Sequence, residues 1–144
     1  MAETLFIEAL RRFMEQMPPE QTGWLAAARD EIVGATIAAI HRRPDRQWTL
    51  DSLAEVAATS RSVLTERFAR FLGDSPLAYL AMWRMQLAAR RLQTSGATVL
   101  QVALEVGYES ETGFIRAFKR EFGLPPAKYR RADLANNGSA ATDR

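Results

Sequence analysis

The chain has 144 residues, 47% of them hydrophobic and 25% charged, enough for one compact domain or a small domain with an appendage, and unlike a disordered protein. Its apolar runs all fall short of the roughly eighteen residues that span a bilayer, and the absence of cysteine excludes disulfides and thiolate metal sites. The formal net charge of +2 conceals an asymmetry: residues 1–60 hold six Arg/Lys against nine Asp/Glu, whereas residues 61–131 hold twelve against six. A basic region suits nucleic acid, but it also suits an ordinary solvated helix surface, so charge alone does not decide.

Residues 3–17 read as an amphipathic helix. Leu5, Phe6, Ala9, Leu10, Phe13, Met14 and Met17 share a stripe from which Glu8, Arg11, Arg12 and Glu15 are absent. Met17-Pro18-Pro19 ends it, because proline removes a donor and restricts the residue before it. Leu5, Phe6, Leu10 and Phe13 then need a partner: the rest of the chain, a second copy in a dimer, or a domain outside this sequence. Glu3 and Glu8 stand where a secretory signal would be basic and then apolar, which fits a cytoplasmic protein.

A second helix is expected over about residues 23–42, with Ile32, Val33, Ile37 and Ile40 inward. The lone His41 near its end faces the helix dipole and lacks the companions of a metal ligand. Thr49 caps a short helix to about Ala57, with Leu50, Leu53, Val56 and Ala57 inward. Ser60 caps the next, through about Leu72, where Gly73 supplies a left-handed stop. Ser75-Pro76 opens a long helix to about Thr94, with Leu77, Leu80, Trp83, Leu87, Ala88 and Leu92 as its inner face. Thr98 and Gln101 form a capping box, Ser110 caps a helix carrying Phe114, Phe118 and Phe122, and Gly123-Leu124-Pro125-Pro126 stops it. A short helix around Ala127–Arg131 follows, and residues 133–144 read as a disordered tail. No strand signal intervenes, so the fold class is all-α.

One segment is used twice. At a shift of fifty, Ser60 maps onto Ser110, Phe68 onto Phe118, Arg70 onto Arg120, Gly73 onto Gly123, Pro76 onto Pro126 and Tyr79 onto Tyr129. The repeated unit is a helix-turn-helix, an arrangement whose second helix can lie in the major groove of DNA with its first turns against base edges. The faces left free by the core are Arg61, Ser62, Thr65 and Glu66 in the first unit. In the second they are Glu111, Thr112, Ile115 and Arg116. The scaffold repeats but these faces differ, as two readers of two half-sites would. Arginine suits guanine, serine and threonine suit either partner, and isoleucine suits a thymine methyl. Glu66 can accept from a cytosine amine or pair with Arg70 four residues on. Ser60, Arg84, Arg91, Ser110, Lys119, Arg120 and Lys128 are candidate phosphate contacts, or else solvated surface groups. The long helix, about 28 Å at 1.5 Å per residue, approaches the roughly 34 Å between successive major-groove faces.

Several segments resemble a known family. Leu53-Ala54-Glu55-Val56-Ala57 and Ser60-Arg61-Ser62 match its first unit, and Trp83 to Ala88 matches its linker. Val106-Gly107-Tyr108-Glu109-Ser110, Phe114 to Arg120, Phe122 to Pro126 and Tyr129-Arg130 match its second. Over about residues 30–131 the chain is similar to the DNA-binding domain of AraC/XylS-type transcriptional regulators. Leu5 to Trp24, with Pro18-Pro19-Glu20-Gln21-Thr22-Gly23-Trp24, resembles the helical end of a cupin-type N-terminal domain. The resemblance implies two helix-turn-helix subdomains joined by a long helix and preceded by an N-terminal helical segment. It divides the chain at 1–22, 23–132 and 133–144. It further implies a bacterial, sequence-specific regulator of transcription on double-stranded DNA that often contacts RNA polymerase; the barrel that would hold an inducer is not in this sequence. Two departures stand out: Ala58 where the first turn often has glycine, and Gly113 inside the second reading helix.

The main alternative is a protein-interaction module that pairs through its N-terminal helix with a full-length relative and modulates it; separately, the same helix is a candidate homodimer contact. Catalysis is not expected, since no cysteine, phosphate-binding glycine loop or metal-ligand cluster is present and His41 has no catalytic companion; no cofactor is implied.

Overall fold

The computed structural model describes residues 22–142, and the stripe Leu5, Phe6, Leu10 and Phe13 lies outside them. The described residues form eight helices and no strand: α1 (Thr22–Arg29), α2 (Glu31–Arg42), α3 (Leu50–Val56), α4 (Arg61–Leu72), α5 (Pro76–Thr94), α6 (Val99–Glu105), α7 (Glu111–Phe122) and α8 (Pro126–Thr142). They divide into two compact units. The first takes residues up to 39 and Thr49–Pro76; the second takes Ile40–Trp48 and the chain from Leu77 onward.

In the first unit the helix expected over 23–42 is two helices. Asp30 breaks it, because its carboxylate accepts from the amides of Ile32 (3.1 Å) and Val33 (3.0 Å) and so caps a new start. The break brings Gly34 so close to the end of α1 that a β-carbon there would lie 2.6 Å from the Ala28 carbonyl oxygen. Arg67 of α4 closes the arrangement with a 2.6 Å contact to Asp30. Burial raises the Asp30 pKa, but the Val33 amide, the Arg67 guanidinium and the Ile32 amide outweigh it and hold the carboxyl below its ordinary range. Val33, Ile37, Leu53, Leu64 and Phe68 form the buried interior, with α1 and α3 both packed on α4.

The second unit is built on aromatic rings. Met85, Ala88, Ala89 and Leu92 of α5 enclose Val102, Ala103, Val106, Phe114 and Phe118. Phe118 meets Phe122 at 4.6 Å and Tyr129 at 5.2 Å between centroids, and Tyr108 meets Phe114 edge-on at 5.6 Å. Such pairs each add about 0.5–1.5 kcal/mol beyond their buried area. Arg130 ties α8 to the end of α5, donating to the carbonyls of Leu92 (3.0 Å), Ser95 (3.3 Å) and Ala97 (2.6 Å). His41 does not face a helix dipole as a cation. It stacks on Trp83 at 3.9 Å, shares a 2.7 Å hydrogen bond with the Tyr79 hydroxyl, and burial lowers its pKa to about 4. It is therefore neutral near pH 7.

The repeat is not uniform. Helices α4 and α7 correspond at a shift of fifty, but the helices before them correspond at forty-nine: Thr49 with Thr98, Leu53 with Val102, Ala54 with Ala103. The second turn is one residue longer. This explains why Val56, expected inward, is 45% exposed: its counterpart is Glu105, on the outer side of α6, and not buried Val106. Leu77, also expected inward, is exposed because the first turn of α5 buries Pro76 and the inner stripe begins at Tyr79 and Leu80. The last helix was expected to end near Arg131, with a tail from 133, yet the backbone stays helical to Thr142. No proline follows Pro126, and the alanines that follow are good helix formers.

At the corrected register Ala58 and Gly107 are equivalent, and both have positive φ, 54° and 102°. An alanine there carries a strain that glycine does not. Ala58→Gly should raise stability by about 0.5–1 kcal/mol, since relief of that strain exceeds the added unfolded-state entropy; a lower urea midpoint would contradict this. His41 supplies a second test. Between its ordinary 6.5 and about 4, the unfolded chain binds a proton that the folded chain refuses, so stability falls as pH drops through that interval. His41 is the sole histidine, and His41→Phe keeps a ring against Trp83 while removing the titration. The urea midpoint of the variant should therefore fall less from pH 7 to pH 4 than that of the parent; parallel curves would refute the assignment.

Candidate nucleic-acid interface

Each reading helix is defined at both ends by the same devices. Ser60 accepts from the Val63 amide (3.2 Å) and Ser110 from the Gly113 amide (3.1 Å). Gly73 and Gly123 stop the helices in the left-handed region at φ 70° and 78°. Between these limits both α4 and α7 run twelve residues. Leu64 and Phe68 anchor one, Phe114 and Phe118 the other, all fully buried. With that side fixed, the opposite side of each helix is left to solvent.

On α4 the free side carries Arg61, Ser62, Thr65 and Glu66, all exposed. Arg61 is paired with Asp51 of α3 at 3.1 Å, but both side chains are more than half exposed, so the pair is a weak tether. Glu66 forms no ion pair with Arg70 among the described contacts; the Arg70 guanidinium lies over the Phe71 ring instead. On α7, Glu111, Thr112, Arg116 and Lys119 are exposed and Ile115 is half-buried beside them. Arg116, Lys119, Arg120 and Lys128 make no ion pair among the described residues. Exposed guanidinium and ammonium groups without internal partners can take phosphate oxygens or base edges.

Other candidates already have partners within the fold. Arg84 is half-buried and donates to the carbonyls of Pro44 (2.9 Å) and Arg46 (2.8 Å), so it is not placed as a free cation. Arg91 holds Glu105 through two contacts of 2.8 and 3.1 Å, which lower the Glu105 pKa. The oxygens of Ser60 and Ser110 each accept one amide in a helix cap, and their hydroxyl protons remain available to a phosphate. Gly113 is not demanded by the cap, since Val63 fills the same position on α4, although an added β-carbon would sit 3.1 Å from the Ser110 oxygen.

Arg67 and Gln47 carry no sequence signal, and Arg130 stands in the sequence only as part of the Tyr129-Arg130 motif. Gln47 donates to the Gly107 carbonyl at 2.8 Å, a contact across sixty residues that no local pattern announces. Arg130 had a signal in its place beside Tyr129, whose hydroxyl accepts from Gln93. Among the described residues no three His, Cys, Asp or Glu side chains converge as metal ligands, and no helix is long and apolar enough to cross a membrane.

Comparison with known proteins agrees with this geometry. The sequence model of a family described as a helix-turn-helix domain matches residues 53–132. An AraC-like transcription regulator of Streptomyces lividans is 43% identical over 131 residues, covering 91% of this chain and 43% of that protein. The transcriptional regulator AlkR of Acinetobacter baylyi is 40% identical over 126 residues, covering 88% and 41%. The chain thus spans less than half the length of these relatives. The DNA-binding domain of AdpA, a global transcriptional factor crystallised with a target DNA, superposes with a TM-score of 0.70 at 32% identity, covering 74% of this chain and 96% of that one.

Proposed function

We propose, for a chain that belongs to the AraC-type helix-turn-helix family, that it binds double-stranded DNA sequence-specifically and regulates transcription. The observation that carries this reading is the contrast between α4 and α7. Their caps, lengths and buried anchors agree, while their exposed residues differ in charge and shape. A scaffold duplicated with unlike faces suits two unlike half-sites. The target DNA in the AdpA crystal supports the same reading over a pure protein-interaction role.

In this reading Arg116 donates two hydrogen bonds to a guanine, Thr112 supplies a hydroxyl and Ile115 meets a thymine methyl. Arg61, Ser62, Thr65, Glu66 and Glu111 face the remaining bases, and Lys119, Arg120 and Lys128 neutralise phosphates. The nineteen-residue α5, about 28 Å long, suits engagement of successive major-groove turns. The regulator works in the cytoplasm, where contact with RNA polymerase would convert site occupancy into altered transcription. Leu5, Phe6, Leu10 and Phe13 are the residues through which two copies would pair.

Selection of bound sequences from a random DNA pool should yield a site with two unlike halves. Arg116→Ala, alone or with Thr112→Ala, should then relax discrimination at one half by about 1–3 kcal/mol per lost bidentate contact. Undiminished site preference in fluorescence anisotropy would remove α7 as a reader. Affinity should also fall steeply with salt, and Arg120→Gln should flatten the log–log slope by about 0.9, the share of one phosphate contact.

A further inference from the structure

We propose that Arg84 and Gln47 are positioning residues that lock the turn from which the second reading helix departs, and that Arg84 is not a phosphate contact. The inference rests on the reading of α7 as a DNA-reading helix and assigns the device that aims it.

The Gly107 turn is held from two directions. Its carbonyl accepts from the Gln47 side chain at 2.8 Å. Its α-carbon lies so near the Arg84 guanidinium that an added β-carbon would stand 2.8 Å from Cζ and from Nη2. The same guanidinium is fixed in turn, with Nε on the Pro44 carbonyl and Nη2 on the Arg46 carbonyl, and it lies 5.8 Å from the centre of the Tyr108 ring. A planar fork can span two carbonyls while its face stays against a glycine; a lysine ammonium cannot reproduce that shape. Residues 44–47 therefore brace the turn, with Arg84 as the plate between them.

The first unit shows that the turn itself does not need this brace. Ala58 takes the equivalent left-handed position with the same backbone pattern: Ala58 to Glu55 and Thr59 to Ala54, matching Gly107 to Leu104 and Tyr108 to Ala103. Yet Ala58 is exposed, whereas Gly107 is buried beneath Arg84 and Gln47. Folding of the turn is common to both units. The added lock is particular to the second, where the turn is one residue longer and so has more freedom to lose.

The test compares Arg84→Gln, Arg84→Lys and the milder Gln47→Ala, whose side chain lies on the surface. Without DNA, amide exchange at residues 107–113 should accelerate in all three while α3 and α4 keep their parental protection. With DNA, discrimination in the half-site read by α7 should fall about tenfold, within the range for one base contact, and the other half should be unaffected. Arg84→Gln should leave the salt slope unchanged, in contrast to Arg120→Gln, and Arg84→Lys should fail to restore discrimination. A slope lowered by about 0.9 in Arg84→Gln and restored by lysine would make Arg84 a phosphate contact and overturn the proposal. Unaltered exchange at 107–113 would overturn it as well. Should the parent protein prefer no DNA sequence, the reading of function fails, and the exchange measurement still decides whether the lock exists.

Discussion

A helix can offer one face to a long polymer only if its other face is held, and in each unit the holding starts where the backbone passes through positive φ. Ala58 and Gly107 turn the chain back so that the second helix crosses the first. The serine two or three residues later then sets where that helix begins. Rotation of a helix by one residue would sweep its exposed side through about 100°. The turn therefore fixes which residues become the reading face, and the buried anchors Leu64 and Phe68, or Phe114 and Phe118, only keep what the turn has chosen.

The two units reach this end by different physical means. In the first, the reading helix is tied by Arg67 to Asp30, a carboxylate that also caps α2; loss of either partner would leave a nearly buried charge or an uncapped helix. In the second, a row of rings from Tyr108 to Tyr129 carries α7, and truncating a buried phenylalanine of such a row costs about 3–5 kcal/mol. An aromatic core is stiff and indifferent to salt. The Arg67–Asp30 pair joins a nearly buried carboxylate to a half-buried guanidinium, so it too is screened by salt far less than an exposed pair such as Arg61–Asp51.

Much of this was legible in the sequence because the devices are local. Serine caps, left-handed glycine stops, the Thr98–Gln101 capping box and the period of the buried residues all act within four residues of where they are written. What escaped was non-local or one residue long. Asp30 looks like any polar residue on a helix until its carboxylate is seen to take two amides ahead of it. The identities of the repeat are strongest in its second helices, at a shift of fifty, whereas the extra residue of the second turn makes Val56 the counterpart of Glu105 and not of Val106. His41, Arg84 and Gln47 all depend on partners roughly forty to sixty residues away.

The arginines show why charge was the poorest guide to the site. A guanidinium satisfies carbonyl, carboxylate and phosphate oxygens by similar geometry, so composition cannot tell a clamp from a contact. In the fold, Arg84 and Arg130 serve carbonyls, while Arg61, Arg67 and Arg91 serve carboxylates. The cations left without such partners include Arg116, Lys119 and Arg120 on α7 and Lys128 on α8, so the charge available to DNA is weighted toward the second unit. Phosphate neutralisation supplies most of the sequence-independent affinity. In the first unit, by contrast, Arg61 is shared with Asp51 in an exposed and therefore weak pair.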